Sequence, residues 1–444
     1  MRKMTAVLAA VAAMAGPAVR ADTVDVSSTT MLTLGQQQRD GQPGTTPSLV
    51  TVAPVFEILN IAAHGVTNPV ADNLEIVVST WASYDFTSDL RWDNGTSKQL
   101  TGDVVAGYVS GRFLKNTLQL RAGREQVMTG VARMIQIDGG DATIMLPFGL
   151  RLSGYAGVPV SQRFASRSGT VSWNPVAGDL AYGGRLAYYL DLPGVFSGRG
   201  IDLGASVNYV EDHGDPVRQE AGVDFRFMPL RNVTLSGFGA YALYDERISE
   251  GSVALDWRAI PRLDVNLDFR FVEPGLLLSR DSILSVFSAS SRKYAGGGVF
   301  YELDHGLGVG ANYHLVLEPG EEGKTYDGHE ADARLEWHRN QTRAGAEVFY
   351  LAALENGYTG GRLFGRQDFG KFFGAVDVLG HFFRDSINGQ DYAITGTLTA
   401  GMELAKGFSA VVSGRAGVTP FMEQTYDLMV KLAYNSTYRV REVR

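Results

Sequence analysis

The chain has 444 residues, no cysteine, 53 glycines, 15 prolines and a formal charge of −8. The missing cysteines exclude disulfides, thiolate metal centres and cysteine nucleophiles. The acidic balance argues against a nucleic-acid partner, and abundant glycine beside scarce proline suits many strands joined by bulges and tight turns.

At the N-terminus, Arg2 and Lys3 precede an apolar run over residues 4–15. Gly16-Pro17 breaks the run, and Val19-Arg20-Ala21 follows. This is the pattern of a secretory signal peptide, too short for an anchor helix. Setting residues 1–21 apart removes Arg2, Lys3 and Arg20 and takes the charge from −8 to −11. Charged or polar residues interrupt every later candidate for a membrane helix of ~20 residues. Residues 22–444 show no linker or shift in composition and read as one domain.

Residues 24–34 predict a first strand, and 35–48 a polar loop rich in Gln, Gly and Pro. Residues 50–63 and 74–86 are strand-like, with a turn over 64–72 that holds Asn68-Pro69. Asp93-Asn94-Gly95 is turn chemistry inside a longer loop. Strands follow at 100–112 and 118–127, joined at Lys115-Asn116. Residues 138–141, with two glycines, are placed in a long loop. The strand pattern resumes over 143–156, 168–173 and 181–192.

From residue 200 the connections alternate in length. Short ones fall at 229–232, 260–261, 304–306, 339–341, 369–370 and 405–407. Long ones fall at 211–219, 244–250, 272–292, 317–330, 355–358, 384–391 and 417–424. This is the rhythm of outer-membrane barrels. No helix–loop–strand rhythm appears, which argues against a parallel α/β fold.

Residues 262–272 carry the pattern most plainly. Leu263, Val265, Leu267, Phe269 and Phe271 fall on one face of a strand. Arg262, Asp264, Asn266, Asp268 and Arg270 fall on the other. The same alternation sets Val223, Phe225 and Phe227 against Asp224 and Arg226, and Ala333, Leu335 and Trp337 against Arg334 and Glu336. One face suits lipid and the other a wet lumen. Phe227, Trp257 and Trp337 precede short turns, and Tyr209, Phe271 and Tyr350 precede long loops, as two aromatic girdles require. The predicted fold is all-β, a transmembrane antiparallel up-and-down barrel of about 18–22 strands, with short periplasmic turns and longer external loops. Its expected location is the bacterial outer membrane.

Catalytic patterns are missing. The seven histidines are scattered, with no His-Glu-x-x-His and no metal spacing, and no Gly-x-Ser-x-Gly is present. Gly306, Gly308 and Gly310 run into a strand rather than a helix, so they read as small residues on one barrel face and not as a phosphate loop. No enzyme, cofactor or metal is expected. Charge concentrates over 121–151, where Arg121, Arg124, Glu125, Arg133, Asp138, Asp141 and Arg151 fall close together. These read either as a constriction that contacts a hydrophilic solute or as a solvated loop with structural ion pairs. Arg226, Asp264, Asp268, Arg270, Arg334 and Glu336 extend the expected substrate path along the lumen. Residues 272–292 hold enough apolar side chains to fold into the barrel as a second constriction, or else form two extended strand ends.

The run Gly123-Arg124-Glu125-Gln126 resembles the Gly-Arg-Gln strand of porins and alginate-exporter-like barrels. With the leader, the missing cysteines and the charged lumen face, the chain resembles an outer-membrane porin. At this size it is similar to barrels that pass polysaccharide, namely the alginate exporter and the porin domain of the poly-N-acetylglucosamine exporter. The latter family carries a periplasmic helical-repeat domain with no counterpart in this sequence, so the resemblance implies a separate periplasmic export partner. The implied function is a passive conduit for a secreted hydrophilic polymer, foremost a polysaccharide. The alternatives are a general or solute-specific diffusion porin and a structural or motility-associated barrel. Other expected partners are outer-membrane lipid and the barrel assembly machinery. The last strand, 425–434, looks like the one that machinery reads, with 436–444 trailing beyond it.

Overall fold

The computed structural model describes residues 22–39, 48–66, 71–87, 100–132, 134–160, 162–164, 171–173, 179–191, 200–212, 214–273, 291–319, 325–353, 356–420 and 422–439. The expected leader and most of the 272–292 loop lie outside the described residues. Among those described there are strands and short 3-10 turns and no α-helix.

Strand β1 (Thr23–Arg39) is followed by β2 (Ser48–Val52) and β3 (Pro54–His64), which run on across Ala53 and both pair with β1. Next come β4 (Asn73–Asp85), β5 (Leu100–Phe113), β6 (Leu118–Val127), β7 (Ile135–Met145) and β8 (Leu150–Pro159). A separate small hairpin, β9 (Gln162–Phe164) with β10 (Val171–Trp173), precedes β11 (Leu180–Leu190). The wall continues through β12 (Gly200–Asp212), β13 (Asp215–Leu230), β14 (Val233–Ala242), β15 (Arg247–Ile260), β16 (Leu263–Val272) and β17 (Arg292–Glu302). Then come β18 (Leu307–Pro319), β19 (Thr325–Arg339), β20 (Thr342–Ala352) and β21 (Gly357–Phe369). The last four are β22 (Phe372–Ile387), β23 (Gln390–Ala405), β24 (Phe408–Thr419) and β25 (Met422–Arg439).

Each wall strand pairs antiparallel with the next, β8 pairs with β11, and β25 returns to β1 from Thr23↔Arg439 to Gly35↔Asp427. With β2 and β3 taken as one wall strand, the barrel has 22 strands and is closed. Closure leaves no strand at a free edge of the sheet, so wall backbone groups pair from strand to strand without water. An even count brings the start of β1 and the end of β25 to one rim, where Thr23 opposes Arg439.

Directly opposed residues share a face of a sheet. Between β15 and β16, Val253↔Phe269 and Leu255↔Leu267 alternate with Asp256↔Asn266 and Arg258↔Asp264. The apolar set is open to the outside, with Leu267 53% exposed, and the polar set turns inward. Outward aromatics form two belts. Phe227, Trp257, Tyr301, Trp337 and Tyr434 lie towards the short turns, and Tyr182, Tyr209, Phe271, Tyr350, Phe382 and Tyr426 towards the other rim. Tyr182 and Tyr209 stack with ring centroids 5.2 Å apart.

Three local expectations are corrected. Residues 138–141 are not in a loop but inside β7, where Gly139 and Gly140 oppose Gly157 and Ala156. The real turn is Pro147–Gly149, in the middle of the stretch read as one strand over 143–156. Residues 436–439 do not trail away, because β1 offers them partners from Val26 back to Thr23. Several external connections also close at tight tips. Pairing continues through most of 211–219 to Asp212↔Asp215, and the 384–391 connection closes at Ile387↔Gln390 after an irregularity beyond Phe382. Above the lipid both strand faces are wet, so alternation fades while pairing persists.

Candidate functional site

The site is the lumen, and the element that intrudes on it is the β6–β7 hairpin. Gly123 takes φ +133, and a side chain there would strike the Gly107 carbonyl. Pairing of β5 with β6 stops at Gly107↔Arg124, while β6–β7 pairing runs on to Val127↔Ile135. The hairpin therefore departs from the wall at Gly123. Arg124 bridges the opening. Its Nε and Nη2 donate to Asp138 at 2.6 and 2.7 Å, and Nη1 donates to Asp103 at 3.3 Å and to the Val104 carbonyl at 3.0 Å.

The hairpin ends in the short turn Gly130–Ala132, which lies against the inner wall of β12 and β13. Val131 is fully buried, and its N–H donates to Ser206 Oγ at 3.0 Å. Gly222, opposite Ser206 in the register, leaves the room that Val131 occupies; a Cβ there would run into it. On the same lumen face, nearer the rim opposite the short turns, Val127, Ile137, Tyr155 and Ala181 form a buried apolar cluster. Part of the bore is thus filled by the chain itself.

Arg121 sits at the base of this device, with Nε 3.0 Å from Glu125 Oε2 and 3.2 Å from Asp141 Oδ1. Its guanidinium lies 5.3 Å from the Tyr108 ring centroid. Glu125 has no exposed surface. Arg121, Glu125 and Asp141 share the lumen face, whereas Arg124 and Asp138 oppose each other on the other face of the hairpin. Arg151 is on the lumen face opposite Ala187, and Arg226 opposite Asp202. Arg133 lies outside the described residues.

The other expected path residues line a separate stretch of wall. Asp264 accepts from Arg258 Nε at 2.8 Å, and Asp268 contacts His314 Nε2 at 2.8 Å. Arg270 lies over Tyr294 and Arg334 over Phe300, at 5.8 and 5.0 Å from the ring centroids. Glu336 is 3.5 Å from Arg343 Nη2 and 3.8 Å from Arg334 Nη1.

Sequence reading missed two groups. Arg185 is held by Asp224, at 3.0 Å from Nε and 2.5 Å from Nη2, and by Asp202 at 3.1 Å. These three residues sit on three strands and no local spacing links them. Arg343 and Arg362 flank Phe364, and Arg366 lies 4.0 Å from the Phe373 centroid. The alternation of Arg362, Phe364, Arg366 and Asp368 was a visible signal for the second group.

The apolar outer face, the paired aromatic belts and the charged interior settle the location. The chain is an outer-membrane β-barrel. No family model matches it, and no curated protein matches it in sequence. Solved structures similar to it include Pseudomonas aeruginosa OpdK with vanillate, at 10% identity and TM-score 0.46 over 94% of this chain and 99% of that one. Acinetobacter baumannii OccAB3 is 8% identical with TM-score 0.46, again over 94% and 99%. A BenF-like porin from Pseudomonas fluorescens Pf-5 is 8% identical with TM-score 0.44 and the same coverage.

Proposed function

We propose that the barrel is a passive, solute-selective diffusion porin for small hydrophilic solutes. The observation that carries this reading is the Gly130–Ala132 turn fastened to the inner wall through Val131, Ser206 and Gly222. A wide barrel with an aqueous lumen conducts whatever fits, and a turn laid into the bore sets an upper limit on size. A sliding polymer is served by an unobstructed bore, so the turn favours small solutes over a secreted polysaccharide. Both signs of charge line the path, which lets it exchange hydrogen bonds with a passing solute in place of water.

The test is conductance. The purified chain in a planar bilayer is expected to give stepwise ion currents without any partner. Removing Gly130–Ala132, or replacing Ser206 by Ala together with Gly222 by Leu, is expected to raise unitary conductance. If the native chain gives no current, or the loop variants conduct like the native chain, the reading fails.

A further inference from the structure

Six residues directly opposed in sequence of register cross six neighbouring strands on the lumen face: Thr234, Asp256, Asn266, Gly298, Asn312 and Asp332. Neighbouring members are ~4.8 Å apart. A row perpendicular to strands tilted by ~35–45° climbs obliquely along the pore. Much of the row borders a niche of about 540 Å³ in the lumen wall, inside the ~300–1,000 Å³ range of small-molecule sites.

We infer that this row is a track for neutral saccharides or similar polyols entering the pore. The inference rests on the porin reading and names the solute class. Hydrogen-bonding capacity is the first reason. Among the described residues, the side chains of Thr234, Asp256 and Asn266 have no hydrogen-bond partner in the chain. Asn312 is held in place, because its Nδ2 donates to both carboxylate oxygens of Asp332 at 2.9 and 3.0 Å. That fixes its Oδ1 over Gly298, where the Asn266 Oδ1 also converges, and a Cβ at Gly298 would collide with the Asn312 amide.

Charge balance is the second reason. One step towards the short turns, Arg258 is neutralised by Asp264, and Arg334 lies over Phe300. A lone anion meets Asp256 and Asp332, and a lone cation meets Arg334, so neither sign is drawn in strongly. A sugar hydroxyl donates and accepts at once. A row that alternates hydroxyl, carboxylate and amide, with guanidinium edges beside it, matches neighbouring hydroxyls on one ring.

Two measurements on the intact barrel test this. Glucose and maltose are expected to add reversible noise and partial block to single-channel current, and to show saturation transfer by NMR with the detergent-solubilised protein. The double substitution Asp256→Ala and Asn266→Ala is expected to weaken both by about tenfold, the loss of one or two hydrogen bonds. Thr399→Ala, on the lumen wall away from the row, is expected to leave both unchanged. A conducting native channel with no sugar effect in either measurement overturns the track and leaves the porin reading standing. Block by acetate or glycine but not by sugars also overturns it. Sugar binding that persists without any current would uphold the track and remove the porin reading alone.

Discussion

Arg121 is the residue on which the base of the inward hairpin depends. It stands between Glu125, which has no exposure, and Asp141, whose side chain is 13% exposed. Without the guanidinium, two buried carboxylates face each other with no cation. Arg121→Ala is expected to cost on the order of 3 kcal/mol, the lower end for orphaning a buried charge, because Arg121 itself keeps some solvent contact. Urea unfolding in lipid vesicles reads this as a lowered midpoint, and adding Glu125→Gln should restore most of it. A midpoint unmoved by Arg121→Ala would mean the carboxylates find water instead. The sequence brought these residues together by proximity but did not sort them. Arg121 and Arg124 are three apart and so fall on opposite faces of a strand, and the bend at Gly123 then turns Arg124 onto Asp103 rather than into the bore. Asp224 was read on the polar face, but its union with Arg185 and Asp202 escaped notice for a different reason: only the register of β11, β12 and β13 brings them together.

At the scale of the strand, β16 offers the clearest test of which face meets lipid. Leu267 opposes Leu255 and Gly297, while Asn266 opposes Asp256 and Gly298. Cysteine at position 266 is expected to react with a water-soluble maleimide in intact vesicles, and cysteine at 267 only with a membrane-soluble one. Equal labelling of both by the water-soluble reagent would reverse the assignment. Leu267→Arg should cost ~2–4 kcal/mol if the residue lies near the bilayer midplane. Strands such as β15, β16 and β19 were legible because each has one face in lipid and one in water along most of its length. β7 and β8 were not, because Gly139-Gly140 imitates a turn while serving the close approach of two strands. The external hairpins were under-read for the reason that water bathes both of their faces, so nothing in the side-chain pattern reports the pairing.

At the scale of the whole molecule, the seam between β1 and β25 decides whether there is a barrel at all. It is among the longest registers in the wall, from Thr23↔Arg439 to Gly35↔Asp427. Near its start Thr437 Oγ1 donates to Asp25 at 2.6 Å, and Asp25 also contacts His64 on β3 at 3.2 Å. Tyr434 and Tyr438 both face outward there, hydrogen-bonded to each other. Ending the chain after Tyr434 would strip the β25 partners from residues 23–27 and expose a strand edge at the rim. An unpaired backbone group has no substitute where water is scarce, so the loss should spread along the seam rather than stop at the cut. The truncated chain is therefore expected to assemble poorly and to lose its compact, heat-resistant band in unheated gels at a lower temperature than the full chain. Truncation after Arg439 should leave that temperature unchanged, since the seam stays whole. If both truncations behave alike, closure does not depend on the last turn of pairing, and the seam must be held from its external end, around Leu34↔Leu428.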